Sequence, residues 1–361
     1  MERSWAGRKW GIGAAGLIAL LMLVAVYASA CGSQETTTTG APATSTSSAP
    51  ATEATDATVT TTAKVAKIGI TVIVDHPVLA LVEKTFKERM AELGWVEGQN
   101  VEYETKNAQG DAASAAPIAK QFVDAKKDLV FGLGTPSIQA MAKETKDIPI
   151  VFAAMTDPVG AGVAVSLEKP GGNVTGVTDW VDPKMQFDLV LEAYPDTKTI
   201  GVILNLSEAS SKAWLDAAEP IAKEMNLKLT TVPVAGTGDL QAAAESLVGR
   251  VDVMLMPGDN TTASGMQVIA KTAITNKIPL FAHGAEETAA QQVLIAIGMD
   301  YSKQGVLAAD LADEILKGAY PGDLPVLSTP ELAVVVNTRT VQAIGAQLPD
   351  SIMSRAITVD N

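Results

Sequence analysis

The chain has 361 residues, a formal net charge of −14 and 47% hydrophobic residues. This length is sufficient for two domains, and the strong negative charge argues against nucleic acid and anionic lipid headgroups as partners. Cys31 is the single cysteine, which excludes an internal disulfide, so folding does not depend on redox conditions.

The N-terminal segment has the composition of a secretory signal. Three basic residues near the start are followed by an uncharged, apolar run over residues 11–30, and Cys31 comes next. This order predicts a signal peptide over residues 1–30. A single transmembrane anchor is the alternative, because the apolar run is nearly long enough to cross a bilayer.

The residues at the expected cleavage point favour the signal peptide over the transmembrane anchor. Ala28-Ser29-Ala30-Cys31 resembles the lipobox of bacterial lipoproteins, in which the cysteine becomes the lipid-modified N-terminus. We therefore expect a lipid on Cys31 to hold the protein at the outer face of the cytoplasmic membrane. Residues 31–64 are rich in Thr, Ser, Ala and Pro and predict a disordered tether.

The rest of the chain carries one pattern twice. Residues 67–70 are echoed by 199–202 at an offset of about 130 residues, and later segments repeat at nearly the same offset. The first copy predicts strands over 68–74, 101–105, 129–133 and 150–153, with helices over 78–93, 112–125 and 137–146. The second predicts strands over 200–204, 228–232, 253–256 and 280–281, with helices over 210–225, 239–247 and 262–276. A strand over 293–297 and a helix over 302–316 follow.

The alternation of strands and helices predicts an α/β fold with two similar doubly wound parallel-sheet lobes around a cleft. The first lobe is expected to comprise residues 65–177 plus about 300–325, and the second residues 178–299 plus about 326–361. Two facing lobes form a cleft that opens and closes, which favours a binding function.

Open parallel sheets bind ligands beyond the carboxyl ends of their strands. The candidate ligand-binding residues therefore come from the loops that follow the predicted strands, and from the region just after residues 172–177, which are expected to cross between the lobes. The candidates are Asp75, His76, Thr135, Pro136, Ser137, Met155, Thr156, Trp180, Glu208, Ser210, Ser211, Asp259, Asn260 and His283.

Chemistry suggests roles for some of them. Glu208 and Asp259 suit a ligand ammonium group, since carboxylates make charge-assisted hydrogen bonds to it; capping a helix is their alternative role. Thr135 and Ser137 suit a ligand carboxylate, and plain helix capping is again the alternative. Trp180 either stacks on a flat ligand or packs at the hinge.

The two histidines, His76 and His283, fall on loops of opposite lobes. With Glu208 or Asp259 they would suit a transition metal, but hydrogen bonding to the ligand or loop packing is favoured, and no metal is predicted. Phe152 and Phe281 occupy matched strand ends and are predicted to be core residues.

Several stretches resemble one known family. They are residues 75–79, 97–101, 107–111, 156–160, 169–177, 259–260, 315–318 and 324–326. They are similar to the ABC-transporter substrate-binding proteins that include tryptophan- and tyrosine-type binders, whose fold is the periplasmic-binding-protein type I clamp. The resemblance covers residues 67 to about 348.

This resemblance implies a monomeric, non-enzymatic receptor without a cofactor that hands a small molecule to an ABC permease. The implied ligand is an amino acid, with aromatic ones among the candidates. A ligand-sensing receptor of the same fold remains an alternative. An extracellular α/β enzyme is disfavoured, because the chain lacks a Gly-x-Ser-x-Gly elbow and a Gly-rich phosphate loop.

Overall fold

The computed structural model describes residues 64–329 and 331–360. The predicted signal peptide, Cys31 and the predicted tether up to residue 63 lie outside the described residues. Within the described part of the chain, no helix combines the length and the apolar character needed to cross a membrane.

The first copy of the repeat forms a sheet flanked by helices. Its elements are β1 (Ala66–Val72), α1 (Pro77–Glu92), β2 (Val101–Asn107), α2 (Ala112–Asp124), β3 (Leu129–Leu133), α3 (Thr135–Glu144), β4 (Ile150–Met155) and β5 (Val174–Thr178). The sequence assigned residues 172–177 to a crossing between the lobes, and this was wrong, because most of that segment is β5.

The second copy forms the other sheet. Its elements are α4 (Pro183–Ala193), β6 (Thr199–Leu204), α5 (Ala209–Glu224), β7 (Lys228–Pro233), α6 (Leu240–Leu247), β8 (Val253–Met256), α7 (Asn260–Ser264), α8 (Met266–Thr275), β9 (Leu280–His283), α9 (Glu286–Ala289) and β10 (Ile295–Met299). The helix predicted over 262–276 is two helices, because the chain turns at Gly265.

The C-terminal part adds elements to both lobes. They are α10 (Tyr301–Leu316), β11 (Leu327–Ser328), β12 (Leu332–Asn337), α11 (Thr338–Ile344), α12 (Asp350–Met353) and β13 (Ile357–Val359). β11 pairs with β5, so the first sheet extends to Ser328, beyond the boundary near residue 325 that the sequence suggested.

The two sheets have the same internal strand order. The first runs β11-β5-β4-β3-β1-β2 and the second β13-β12-β10-β9-β8-β6-β7. Without the C-terminal strands β11, β12 and β13, the first order is β5-β4-β3-β1-β2 and the second is β10-β9-β8-β6-β7. Counted along the chain, these two orders are the same and describe one doubly wound unit. Among the described strands, only the pairing of β10 with β12 is antiparallel. The predicted fold class, two doubly wound parallel-sheet lobes, is confirmed.

Apolar strands and the inner faces of helices form a separate core in each lobe. In the first, Phe86 of α1 stacks on Phe131 of β3 with ring centroids 4.0 Å apart. Full burial of one such side chain contributes about 1.5–3 kcal/mol. Phe152 and Phe281 are both buried, as predicted.

The described chain passes between the sheets after β5, between β10 and α10, and between β11 and β12. After the second of these crossings, α10 packs along α1 and joins the first core through Tyr301, Ala308 and Ile315. At Gly305 the two helices approach so closely that a Cβ would lie 2.5 Å from the carbonyl oxygen of Val82.

Candidate functional site

The loops at the carboxyl ends of the two sheets meet at a cavity between the lobes. Its first-lobe wall includes His76 after β1 and Thr156 after β4. Its second-lobe wall includes Asp259 and Asn260 after β8 and His283 at the end of β9. The cavity is also lined by residues that the sequence did not single out, which are Val78, Leu79, Ala154, Asp179, Pro257, Gly258, Ala263, Met266, Thr288, Gln291 and Tyr301.

Asp259 is held entirely by its own lobe. One carboxylate oxygen accepts the Thr262 N–H at 2.7 Å and so caps α7. The other accepts the Asn205 N–H at 2.7 Å and the hydroxyl of Ser211. Asp259 lines the cavity, but its carboxylate ties β6, α5 and α7 together.

Glu208 is held in the same way. One oxygen accepts the backbone N–H of Asn260 at 3.2 Å and its Nδ2–H at 2.6 Å. The other accepts the N–H and hydroxyl of Thr261 at 3.1 and 2.8 Å. Glu208 therefore caps α7, the helix after the neighbouring strand, and a ligand ammonium group would have to compete with these four donors.

Burial and the adjacent Asp259 carboxylate raise the pKa of Glu208 to about 7, although its hydrogen bonds to Asn260 and Thr261 act in the opposite direction. Two carboxylates in one buried network repel each other, so removing one proton makes it harder to remove the second.

A second cluster joins the two lobes beside the hinge. Tyr301 donates its hydroxyl to Asp179 Oδ2 at 3.0 Å, and the same hydroxyl lies 2.8 Å from His283 Nε2. His283 Nε2 is itself 3.8 Å from Asp179 Oδ2. Asp179 follows β5 and Tyr301 begins α10, whereas His283 belongs to the second lobe. The cluster therefore connects the lobes across the cavity.

Burial raises the pKa of the Asp179 carboxyl, but its contacts with His283 Nε2 and the Tyr301 hydroxyl more than offset this effect. The net pKa lies below its ordinary value, so Asp179 is ionised at neutral pH. Its other oxygen, Oδ1, is buried and has no hydrogen-bond partner. A buried, unpaired carboxylate oxygen is costly unless a ligand or water completes it.

His76 makes a further contact between the lobes. Its ring is hydrogen-bonded to Asn260, whose Nδ2 already donates to Glu208. His76 Nδ1 is buried and has no hydrogen-bond partner.

Burial lowers the pKa of His76 to about 4, an effect only partly offset by the charge of Asp179 and the hydrogen bond to Asn260. His76 is therefore neutral at pH 7. Together with Asp179, it gives the cavity two residues that each have a buried polar atom without a partner.

The remaining predicted residues are not among those that line this cavity. Thr135, Pro136 and Ser137 begin α3, while Ser210 and Ser211 lie in the first turn of α5; Ser137 Oγ and Ser210 Oγ are buried without a partner. Met155 is packed with Phe152 and Ile138. Asp75 is exposed and accepts a hydrogen bond from Asn107, and Trp180 borders a separate surface groove with Pro158 and Leu167. For all of these, a ligand role remains a prediction.

Asp179 and Tyr301 were missed by the sequence reasoning. Asp179 follows the strand that was taken for a crossing, and Tyr301 stands one residue before the predicted helix. The distribution of His, Asp and Glu within the described chain forms no group of three or more able to hold a metal ion.

The chain belongs to the ABC transporter substrate-binding protein family, whose family profile matches residues 67–360. It is 39% identical over 288 residues to a tyrosine-binding protein of Clostridioides difficile (strain R20291), an alignment that covers 80% of this chain and 83% of the relative. The fold is that of type I periplasmic binding proteins.

Two solved structures compare with it over 82% of this chain and 100% of their own. One is a domain from Streptococcus pneumoniae in complex with L-Trp, with 34% identity and a TM-score of 0.78. The other is the ligand-free, open structure of a substrate-binding protein with adhesive properties from Clostridium difficile, with 36% identity and a TM-score of 0.62. At similar identity, the present structure is more similar to the tryptophan complex than to the open form.

Proposed function

We propose that this protein is the extracytoplasmic solute-binding lipoprotein of an ABC importer and that it binds an aromatic amino acid between its lobes. The proposal is supported by relatives described as binding tyrosine and tryptophan, and by the interlobe cavity, whose lining includes two buried polar atoms without a partner. The lipid on Cys31 would keep the receptor beside its permease.

The observation that carries the ligand class is the free oxygen of Asp179. A zwitterionic amino acid has one cationic group, and the ammonium offers three N–H donors. Asp179 Oδ1 and His76 Nδ1 are buried atoms without a hydrogen-bond partner, and both residues line the cavity. Glu208 and Asp259 already have partners on both oxygens. Asp179 is therefore the better candidate for the ammonium than the two carboxylates that the sequence suggested.

The cavity measures about 40 Å³ in this structure, so the lobes would have to separate to admit a ligand, and apolar residues of both lobes would then contact an aromatic side chain. Val78 and Leu79 of α1 face Met266 and Ala263 of the second lobe across the cavity. Closure of the lobes would bury the ring between these residues, and the closed form would then be recognised by the permease.

The test is calorimetry on residues 61–361, which form one compact unit. Asp179→Asn retains the size of the side chain and an oxygen for Tyr301, but removes the charge that faces the ammonium. A hydrogen bond to a charged group contributes about 1.5–3 kcal/mol, so affinity for L-tryptophan or L-tyrosine should fall at least about tenfold. Asp182→Asn is the matched control, because Asp182 is an exposed helix cap that does not line the cavity.

A second arm varies the ligand. N-acetyl-tryptophan lacks the ammonium group, so it should bind the wild-type protein weakly, and Asp179→Asn should not weaken it further. Wild-type affinity of Asp179→Asn for both amino acids would refute the role of Asp179. Failure of the wild-type protein to bind any amino acid would refute the ligand class.

A further inference from the structure

β4 contains a bulge where it reaches the cavity. Phe152 pairs with Gly176, but the next pair is Met155 with Thr178, so Ala153 and Ala154 together oppose a single residue of β5. Ala154 has φ +51°, a left-handed conformation that costs a residue with a Cβ about 1–2 kcal/mol. Bulges next to binding sites redirect the residues around them.

The N–H of Ala154 is bound by a side chain from another element. It donates to Gln304 Oε1 at 3.0 Å, and Gln304 is completely buried on α10. The side-chain nitrogen of Gln304, Nε2, contacts Met299 Sδ at 3.6 Å. Without Gln304 the bulge would leave a buried N–H unsatisfied, because the sheet ladder is interrupted at this residue.

The bulge is connected directly to Asp179. The carbonyl oxygen of Met155, the residue after Ala154, accepts the Asp179 N–H at 3.2 Å and the Thr178 hydroxyl at 2.8 Å. Asp179 Oδ2 then accepts the hydroxyl of Tyr301, which lies one turn before Gln304 on the same helix. A closed ring of contacts thus runs from Gln304 through β4 to Asp179 and back to α10.

We infer that Gln304 is a positioning residue for ligand binding: by holding the β4 bulge, it sets the place and orientation of Asp179. The inference rests on the proposed function, in which Asp179 holds the ligand ammonium. Gly305, the next residue, lets α10 lie directly against α1, so the helix that carries Gln304 is a fixed support on the first lobe.

The test compares Gln304→Met with Gln186→Met in residues 61–361. Met has nearly the volume of Gln but lacks the amide acceptor. Gln186 is also buried and accepts the Trp214 Nε1–H at 2.6 Å, but it lies in the second lobe away from the cavity. Both variants should lose stability in urea unfolding, whereas only Gln304→Met should lose affinity for L-tryptophan, by about tenfold.

Two double variants separate positioning from general packing. In the Gln304→Met background, Ala154→Gly should restore part of the lost affinity, because glycine adopts the left-handed conformation without strain. In the Asp179→Asn background, Gln304→Met should have little further effect on affinity, because the group that it positions is already altered. The inference would be overturned if the effects of the two substitutions on affinity simply added in both double variants, or if Gln304→Met alone left the affinity unchanged.

Amide hydrogen exchange tests the positioning role of Gln304 independently of the proposed function. If the wild-type protein binds no amino acid, the proposed function fails, and the positioning role is decided in the ligand-free protein. There, Gln304→Met should accelerate exchange of the Ala154 and Asp179 amides together, while Gln186→Met should leave both unchanged. Unaltered exchange at Asp179 would overturn the inference.

Discussion

Replacing Gly305 with alanine tests whether the close contact between α10 and α1 supports the first lobe. A Cβ at this position would lie 2.0 Å from Thr85 Oγ1, 2.5 Å from the Val82 carbonyl oxygen and 2.9 Å from the Phe86 nitrogen. The Thr85 hydroxyl can rotate away, but the two backbone atoms cannot, so the helices must move apart.

The size of the effect is a balance of two terms. Overpacking of this kind costs about 1–3 kcal/mol and sometimes more, whereas alanine favours a helix interior over glycine by about 1 kcal/mol. Because the clash involves backbone at well below contact distance, we expect the upper part of the first range and a net loss of about 2 kcal/mol. Affinity for the amino acid should fall as well, because Tyr301 and Gln304 move with the helix.

Urea unfolding monitored by circular dichroism measures the loss directly. Gly238→Ala is the matched control, because a Cβ there meets nothing within 4 Å and the residue has no left-handed φ. Its free energy of unfolding should stay within about 0.5 kcal/mol of wild type. A Gly305→Ala protein as stable as this control would show that the close approach of the helices is not required.

Two further predictions concern a buried acid and the N-terminus. Because the folded pKa of Glu208 is raised from 4.5 to about 7, the folded state binds more protons than the unfolded state in this window, and its stability should fall as the pH rises through it. Glu208→Gln removes the titrating group, so the wild-type free energy of unfolding minus that of the variant should decrease from pH 4.5 to 7 in urea titrations; a constant difference would contradict the shift. Cys31→Ser should move the full-length protein from the membrane fraction to the soluble fraction, and retention at the membrane would favour the transmembrane alternative.

Much of the fold could be predicted because central strands such as β3 and β4 are buried on both faces and read as continuous, largely apolar runs. The strand predicted over 129–133 coincides with β3, and the helix predicted over 78–93 is α1 displaced by one residue. β5 was missed because only Val174 and Val177, on either side of Gly176, are apolar among its five residues. The structure gives the reason for the glycine, since a Cβ there would lie 2.3 Å from the carbonyl oxygen of Phe152.

The candidate site was harder to predict, because it depends on which segments return to which lobe. The strand-end rule selected loops that contain His76, Asn260 and His283, and these three residues line one cavity. The rule could not distinguish a carboxylate with a free oxygen from one that caps a neighbouring helix. The partners of a carboxylate, such as Thr261 for Glu208, are brought to it only by the packing of the folded chain. Tyr301 reaches the cavity because α10 crosses to the first lobe, and no local pattern encodes that contact.

The positions of Asp179 and Tyr301 at the chain crossings have a kinetic consequence. A hinge moves least at its pivot, so groups placed there keep nearly the same arrangement whether the lobes are apart or together. Asn260 and His283 belong to the second lobe and travel with it. In the proposed function, Asp179 would therefore be in place before the lobes close, whereas the contacts made by the second lobe follow closure and would determine how long the solute stays. Encounter and residence time would then be controlled by different residues of one cleft.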